Sequence, residues 1–245
     1  MSGTVDPIVA TAASRNPAWM FPWARFAPLA FALAVLLHSG CGPAAGTVKL
    51  ERPVAPIERL AILRLERGQP SADATLVARE GNPNPILPPD AETVVTAQIY
   101  GVLANDPRWR LVPDLDVDDA MRSVRLGGTL EARAQALGKA AKADAVITGR
   151  VTRLQDRAGA EYGTRFPASV AFELEMVETT TGKVLWASAF DQTQQDLSAN
   201  LFDFWMFWRG GPRWFTSAEL ARLGVEKLIE QMDEAFADEE SAGPN

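Results

Sequence analysis

Ala145-Val-Ile-Thr-Gly-Arg-Val-Thr152 opens on three apolar residues in a row and is rich in β-branched side chains. A short apolar run of this kind reads as a strand at the centre of a sheet, covered on both faces. Toward the C-terminus, Val170, Phe172, Leu174 and Met176 alternate with Glu173 and Glu175, the pattern of a half-buried strand with one wet face. Thr180-Thr-Gly182 supplies a turn in which Gly182 is free to take a positive φ. Val184–Phe190 returns as the hairpin partner.

Toward the N-terminus the pattern changes period. Thr129 opens a helix with Leu130, Ala134, Leu137 and Ala141 at helical spacing, and Asp116 is expected to cap a shorter one carrying Met121 and Val124 that ends at Gly127-Gly128. Trp109–Val112 reads as a brief strand stopped by Pro113. Asp90 is expected to cap a helix that places Val95, Ile99, Val102 and Leu103 on one face. Leu60–Leu65, after Pro56, reads as a buried strand. The last element is a helix with two start signals. Thr216 and Glu219 form a capping box, and Phe215 and Leu220 stand at staple positions on either side of it.

The order is strand, helix, strand, two helices, three strands and a helix. This predicts an α/β fold of one domain over residues 57–236, with a mixed, mostly antiparallel sheet of about five strands covered by helices. Residues 237–245 read as a polar, frayed tail.

The N-terminal segment sets the compartment. Phe26–Leu37 is an apolar run of 12 residues, preceded by Arg25 and followed by His38-Ser-Gly-Cys41. As a helix such a run rises about 18 Å, short of the roughly 30 Å hydrocarbon layer. Basic flank, run length and small residues together predict a cleaved signal peptide over residues 1–40. Residues 1–19 form a longer polar leader than such peptides carry, and Met20 would make a compact start.

Ser39-Gly40 before Cys41 resembles the bacterial lipobox, in which the cysteine receives diacylglycerol and an acyl chain and becomes the new N-terminus. The position usually held by Leu is His38, with Leu37 one place early. An ordinary cleaved signal peptide or an anchoring helix, with Cys41 incidental, stays the alternative. Gly42 rather than Asp matches the outer-membrane side of the sorting rule for such lipoproteins. Residues 41–56 are then a lipidated tether, and a periplasm-facing place on the outer membrane is the expectation.

Cleavage before Cys41 also narrows the chemistry. The sole His is His38 and the sole Cys is Cys41, so the mature chain is left without a Ser-His-Asp or Cys-His nucleophile and without His or Cys zinc ligands. The pairs Asp114/Asp116 and Asp118/Asp119 sit where helix-start residues belong, and no glycine-rich phosphate loop follows a strand. No catalytic residue, metal or cofactor is therefore expected beyond the covalent lipid on Cys41. The formal charge is −7. Removal of Asp6, Arg15 and Arg25 leaves 22 basic against 30 acidic residues, a poor match for nucleic acid and for an anionic membrane surface.

Leu137–Val151, with its Ala143-Asp144 corner leading into Ile147-Thr-Gly149-Arg-Val, resembles a helix-to-strand signature of bacterial envelope lipoproteins. This is the group containing the curli-export lipoprotein CsgG and the penicillin-binding-protein activator LpoB. Thr181-Gly-Lys183 matches the turn of its later strand pair. The resemblance covers roughly residues 56–232 and its motifs are structural, so it implies a CsgG/LpoB-like domain and carries no activity. The curli exporter's pore uses two long amphipathic hairpins per subunit. Gln155–Pro167 is too short and polar for a membrane hairpin, whose strands need about 9–11 residues.

One stretch is left over. Between Asp191 and Thr216 runs Leu201-Phe-Asp-Phe-Trp-Met-Phe-Trp208, then Arg209-Gly-Gly-Pro-Arg213-Trp214, holding three of the seven tryptophans. Long connections inside compact domains are functional or carry an element of their own. Leu201, Trp205 and Trp208 at helical spacing fit a short helix added to the core. Phe202, Phe204, Trp205, Trp208, Arg209, Arg213 and Trp214 equally fit a partner-binding surface, being the residue types that anchor interfaces. Insertion at a membrane interface is a third reading, opposed by Asp203 and the acidic domain. The expectation is a non-enzymatic, lipid-anchored adaptor that binds another envelope protein or its own copies. A subunit of an oligomeric secretion ring and a carrier of a small apolar ligand are the alternatives.

Overall fold

The structure is a computed structural model that describes residues 49–70, 82–124, 127–194 and 213–241. All of these belong to one compact unit, Ala44–Asn245. The signal-peptide and lipidation expectations, Cys41 included, lie outside the described residues, as does the end of the tail at 242–245.

All five expected strands are present as β2 (Arg59–Ile62), β4 (Arg110–Leu111), β5 (Ala145–Gln155), β8 (Ser169–Glu178) and β9 (Val184–Thr193). Two short strands join them, β1 (Lys49–Leu50) and β3 (Glu66–Arg67), in a seven-stranded sheet of order β1-β9-β8-β5-β2-β4 with β3 also on β5. β1 comes from residues the sequence reading assigned to the tether. Its chain is fastened further by Glu51 N–H to the Leu185 carbonyl and Val54 N–H to the buried Glu178 carboxylate, at 2.8 and 2.7 Å.

The sheet is less antiparallel than expected. β5–β8, β8–β9 and β1–β9 pair antiparallel, whereas β2–β5, β2–β4 and β3–β5 pair parallel. Helices account for the parallel half, because a parallel return needs a crossover. α1 (Ala91–Leu103) links β3 to β4, and α2 (Asp114–Ser123) and α3 (Leu130–Ala141) link β4 to β5.

Two apolar clusters cover the two faces. On one, the register aligns Ile62, Ile147, Met176 and Trp186 in a row across four strands, and Val151, Phe172 and Phe190 in another. α1 and the long α4 (Ser217–Ser241) close over these rows with Val95, Ile99, Leu220 and Leu228. On the other face, Ala61, Val146 and Val177 pack under Val117 of α2 and Ala134 and Leu137 of α3. Glu173 and Glu175 mark the wet part of β8 as expected, but Ala171 and Val177 on the same face are buried. The strand is therefore wet only over its middle.

Local signals explain most boundaries and four departures. Thr129 caps α3 through its hydroxyl, and Gly182 has φ +74°, both as expected. Asp90 stands at the start of α1, but its carboxylate accepts no capping bond, its backbone lying at φ −102°, ψ 8° rather than in the extended region; the Ala91 N–H bonds to the Pro88 carbonyl. Val102 is only half-buried, while Thr96 joins the covered face and receives the Leu65 N–H at 3.1 Å. α2 starts two residues before Asp116, after Pro113, and Val124 falls beyond its end. Pro113 fixes the entry, and Asp114 and Asp116 then sit in the first turn, where negative charge suits the helix dipole. The polar tail is helical as far as Ser241, since nothing in Ala237–Ser241 breaks a helix before Gly243-Pro244.

Candidate functional site

Of the residues expected to contact a partner, Phe202, Phe204, Trp205, Trp208 and Arg209 lie outside the described residues. Arg213 and Trp214 are described, and with Gln194 they show how the excursion over 195–212 is attached. β9 ends at Thr193, and the next residue, Gln194, is 1 % exposed. Its N–H donates to the Ala168 carbonyl at 3.0 Å. Its side-chain amide donates to the Arg213 carbonyl at 2.7 Å and accepts the Phe215 N–H at 2.7 Å. One buried side chain thus holds the outgoing and returning ends of the excursion together.

The returning end is stitched to a second structure that the sequence reading took for a polar connection. Within Gln155–Pro167, β6 (Ala158–Ala160) and β7 (Gly163–Phe166) form a small hairpin. Its strands of three and four residues are far below membrane-spanning length, in keeping with the expectation for this segment. The Trp214 N–H donates to the Glu161 carbonyl at the hairpin tip at 2.8 Å, and the Trp214 carbonyl accepts from the Arg157 guanidinium at 2.5 Å. At that tip Tyr162 is 79 % exposed.

Charge and capping fix the rest. Thr216 and Glu219 form the expected capping box, with Thr216 N–H on the Glu219 carboxylate at 2.8 Å and Glu219 N–H on the Thr216 hydroxyl at 3.2 Å. Phe215 and Leu220 are both buried in the same cluster, as a staple requires. The Asp156 carboxylate accepts the Ser217 N–H at 2.9 Å, giving the start of α4 a second acceptor.

Arg213 pairs with Glu219 at 2.8 Å and with Glu161 at 3.6 Å, and lies over the Phe215 ring at 5.2 Å. Its guanidinium is occupied within the chain, so its placement is that of a brace for the excursion's end. Trp214, half-buried, stays on the surface beside the hairpin. The bond to Arg213, ahead of the Thr216 bonds, holds the Glu219 carboxyl well below its ordinary range, at about 2, and Glu219 in turn raises Arg213.

A depressed carboxylate contributes stability that is fully present above about pH 4.5 and is lost as the pH falls toward 2. Glu219→Gln keeps an acceptor for the capping box and removes the charge. The melting-temperature gap between wild type and Glu219→Gln is expected to be small, because the pair is partly exposed, and to close between pH 4.5 and 2. A gap that stays constant across that window would show that the pair contributes nothing.

Sequence reasoning missed Gln194 and Tyr162. Gly159 and Gly163 flanking Glu161-Tyr162 were the available sign of the hairpin, and Gly159 adopts φ +130°. Among the described residues no group of three His, Cys, Asp or Glu could hold a metal ion, and no helix is long and apolar enough to cross a membrane. Asp114 and Asp116 lie in the first turn of α2, and Asp119 pairs with Arg122 one turn on.

No family model matches the chain, and no curated protein matches it. Solved structures similar to it include the PelC dodecamer of Paraburkholderia phytofirmans, at 14 % identity over 75 % of this chain and 94 % of that one, with a TM-score of 0.40. The LpoB C-terminal domain of Salmonella enterica is 15 % identical over 66 % of this chain and 94 % of its own, with a TM-score of 0.33. The lipoprotein GNA1162 of Neisseria meningitidis is 16 % identical over 62 % and 91 %, with a TM-score of 0.35. Likeness at these scores assigns neither family nor function to this chain.

Proposed function

We propose that the chain is a non-enzymatic adaptor of a bacterial envelope, exported and lipid-anchored through Cys41, that binds another envelope protein. The contact surface is the aromatic excursion together with the tip of the β6–β7 hairpin. The observation that supports this most is the Gln194 clamp, which joins both ends of the excursion beside the exposed Tyr162. Trp214, held through both its N–H and its carbonyl beside the hairpin tip, loses little backbone freedom on docking, which is a property of residues that dominate binding energies. The tether lying on β9 and the absence of His and Cys from the chain after Cys41 are consistent with a binding rather than a catalytic role.

A photo-crosslinking residue at position 162, in the lipidated protein in its own envelope, tests the proposal. It is expected to capture one specific protein. Capture is expected to fall at least about tenfold in Trp205→Ala/Trp208→Ala with the unfolding midpoint unchanged. An unchanged capture pattern with a lowered midpoint would place those tryptophans in the core and overturn the reading. Tyr162→Ala decides if both change together, because its exposed side chain contributes little to the fold. With the crosslinker moved to position 161, loss of capture in Tyr162→Ala upholds the surface, and full capture removes it.

A further inference from the structure

Between the start of α1, the start of α4 and the end of β5 lies a cavity of about 250 Å³. Its walls are apolar, with Pro85, Val94 and Leu154 among them. The polar side chains at its rim include Asn84, Asp90 and Asp156, and no Lys or Arg lines it. Their hydrogen-bonding capacity is one-sided. Asn84 spends its amide N–H groups on the carbonyls of Asp156 and Arg157, and no bond to its side-chain oxygen is found among the described residues. Asp156 uses one carboxylate oxygen on Ser217 and Arg157, and no bond to the other is found among the described residues. Asp90 takes no capping bond, and its carboxylate has no partner among the described residues.

We infer that this cavity binds a protonated primary amine on a short aliphatic stem. An ammonium group has three donors and no acceptor, which complements spare acceptors held by side chains without a competing cation. Methylenes of the stem match walls of proline, valine and leucine. The starts of two helices oppose a cation here. Asp156 answers that of α4 through the Ser217 N–H, and the Pro88 carbonyl takes the first N–H of α1 together with the Arg67 guanidinium, whose charge is met by Glu92 of the same helix. A lysine side chain of another protein and a free alkyl diamine share this chemistry. The site stands independently of the partner proposed above.

The two sources are separated by titrating the full-length chain, in non-ionic detergent, with Nα-acetyl-lysine methylamide and with 1,5-diaminopentane. Amide NMR shifts at Val94, Leu154 and Ala218 are the readout. Saturable shifts at these amides are expected with one or both amines and none with the Nε-acetylated lysine. The amine that saturates at the lower concentration is the source.

Asp90→Asn is expected to weaken binding about two- to fivefold, as for an exposed ion pair, with unchanged stability. Asp90→Asn/Asp156→Asn retains an acceptor for Ser217 and is expected to abolish binding. Shifts that are absent for both amines, that persist with the acetylated lysine, or that are unaffected in the double variant would overturn the assignment.

Discussion

Gly149→Ala is expected to destabilise the protein by roughly 3 kcal/mol, a large share of the total stability of a marginal domain. Gly149 stands opposite Leu174 in the central β5–β8 pair, and a Cβ added there would overlap the backbone carbonyl of Glu173. A side chain could swing aside, but a ladder carbonyl cannot move without opening the pairs on either side of it. Those pairs carry Ile147 against Met176 and Val151 against Phe172, in the middle of the larger cluster. Gly101 is the control. It lies in α1 with open space around its would-be Cβ, so Gly101→Ala is expected to stabilise by about 0.5–1 kcal/mol. Urea unfolding of both variants decides the matter. A Gly149→Ala midpoint equal to wild type would mean that the two strands do not approach as described.

The second large effect is expected at Gln194. Gln194→Ala leaves the Arg213 carbonyl and the Phe215 N–H without their partner in a covered place, at a cost of about 2–4 kcal/mol for the pair. The loss is expected to be local first. Amide exchange should accelerate at Phe215 and Trp214 while Ile147 and Leu174 stay protected. Crosslinking from position 162 should fall with it, since Trp214 and the hairpin tip share a backbone bond. Uniform acceleration across β5 and β8 would make Gln194 an ordinary core residue and remove its connection to the excursion. Gln194→Glu sharpens the comparison. It keeps an acceptor for Phe215 but, when ionised, sets a buried carboxylate against the Arg213 carbonyl, so it is expected to be at least as damaging as Gln194→Ala at neutral pH and to recover once the carboxyl is protonated.

What the sequence revealed follows the reach of each signal. Thr129 before α3 and the Thr216–Glu219 box are legible because donor and acceptor lie three residues apart. The alternation of Val170–Met176 is legible because burial repeats along the strand itself. β1 is not, since Lys49 and Leu50 acquire their pairing only from the edge of β9, well over a hundred residues on. Asp90 shows the limit from the other side: a good capping residue at the right place makes no capping bond, because its backbone at φ −102°, ψ 8° is not the extended one from which such side chains reach the first turn. At the candidate site, Arg213 has the composition of an interface residue. Its pairing with Glu161 depends on a hairpin fifty-odd residues earlier, which no local pattern announces. The Gln194 clamp is hidden for the same reason, its partners standing 19 and 21 residues away.

The same clamp separates inheritance of the fold from inheritance of specificity. Gln194 closes the strand at one end, and the Thr216–Glu219 box starts the helix at the other, so the bonds that end one element and begin the next are made by residues outside the intervening stretch. Doubling the length spliced between them adds only about 0.6 kcal/mol of closure entropy. A chain in which the stretch between residues 194 and 213 is exchanged is therefore expected to keep this clamp, because the partners of Gln194 are backbone groups that every sequence supplies.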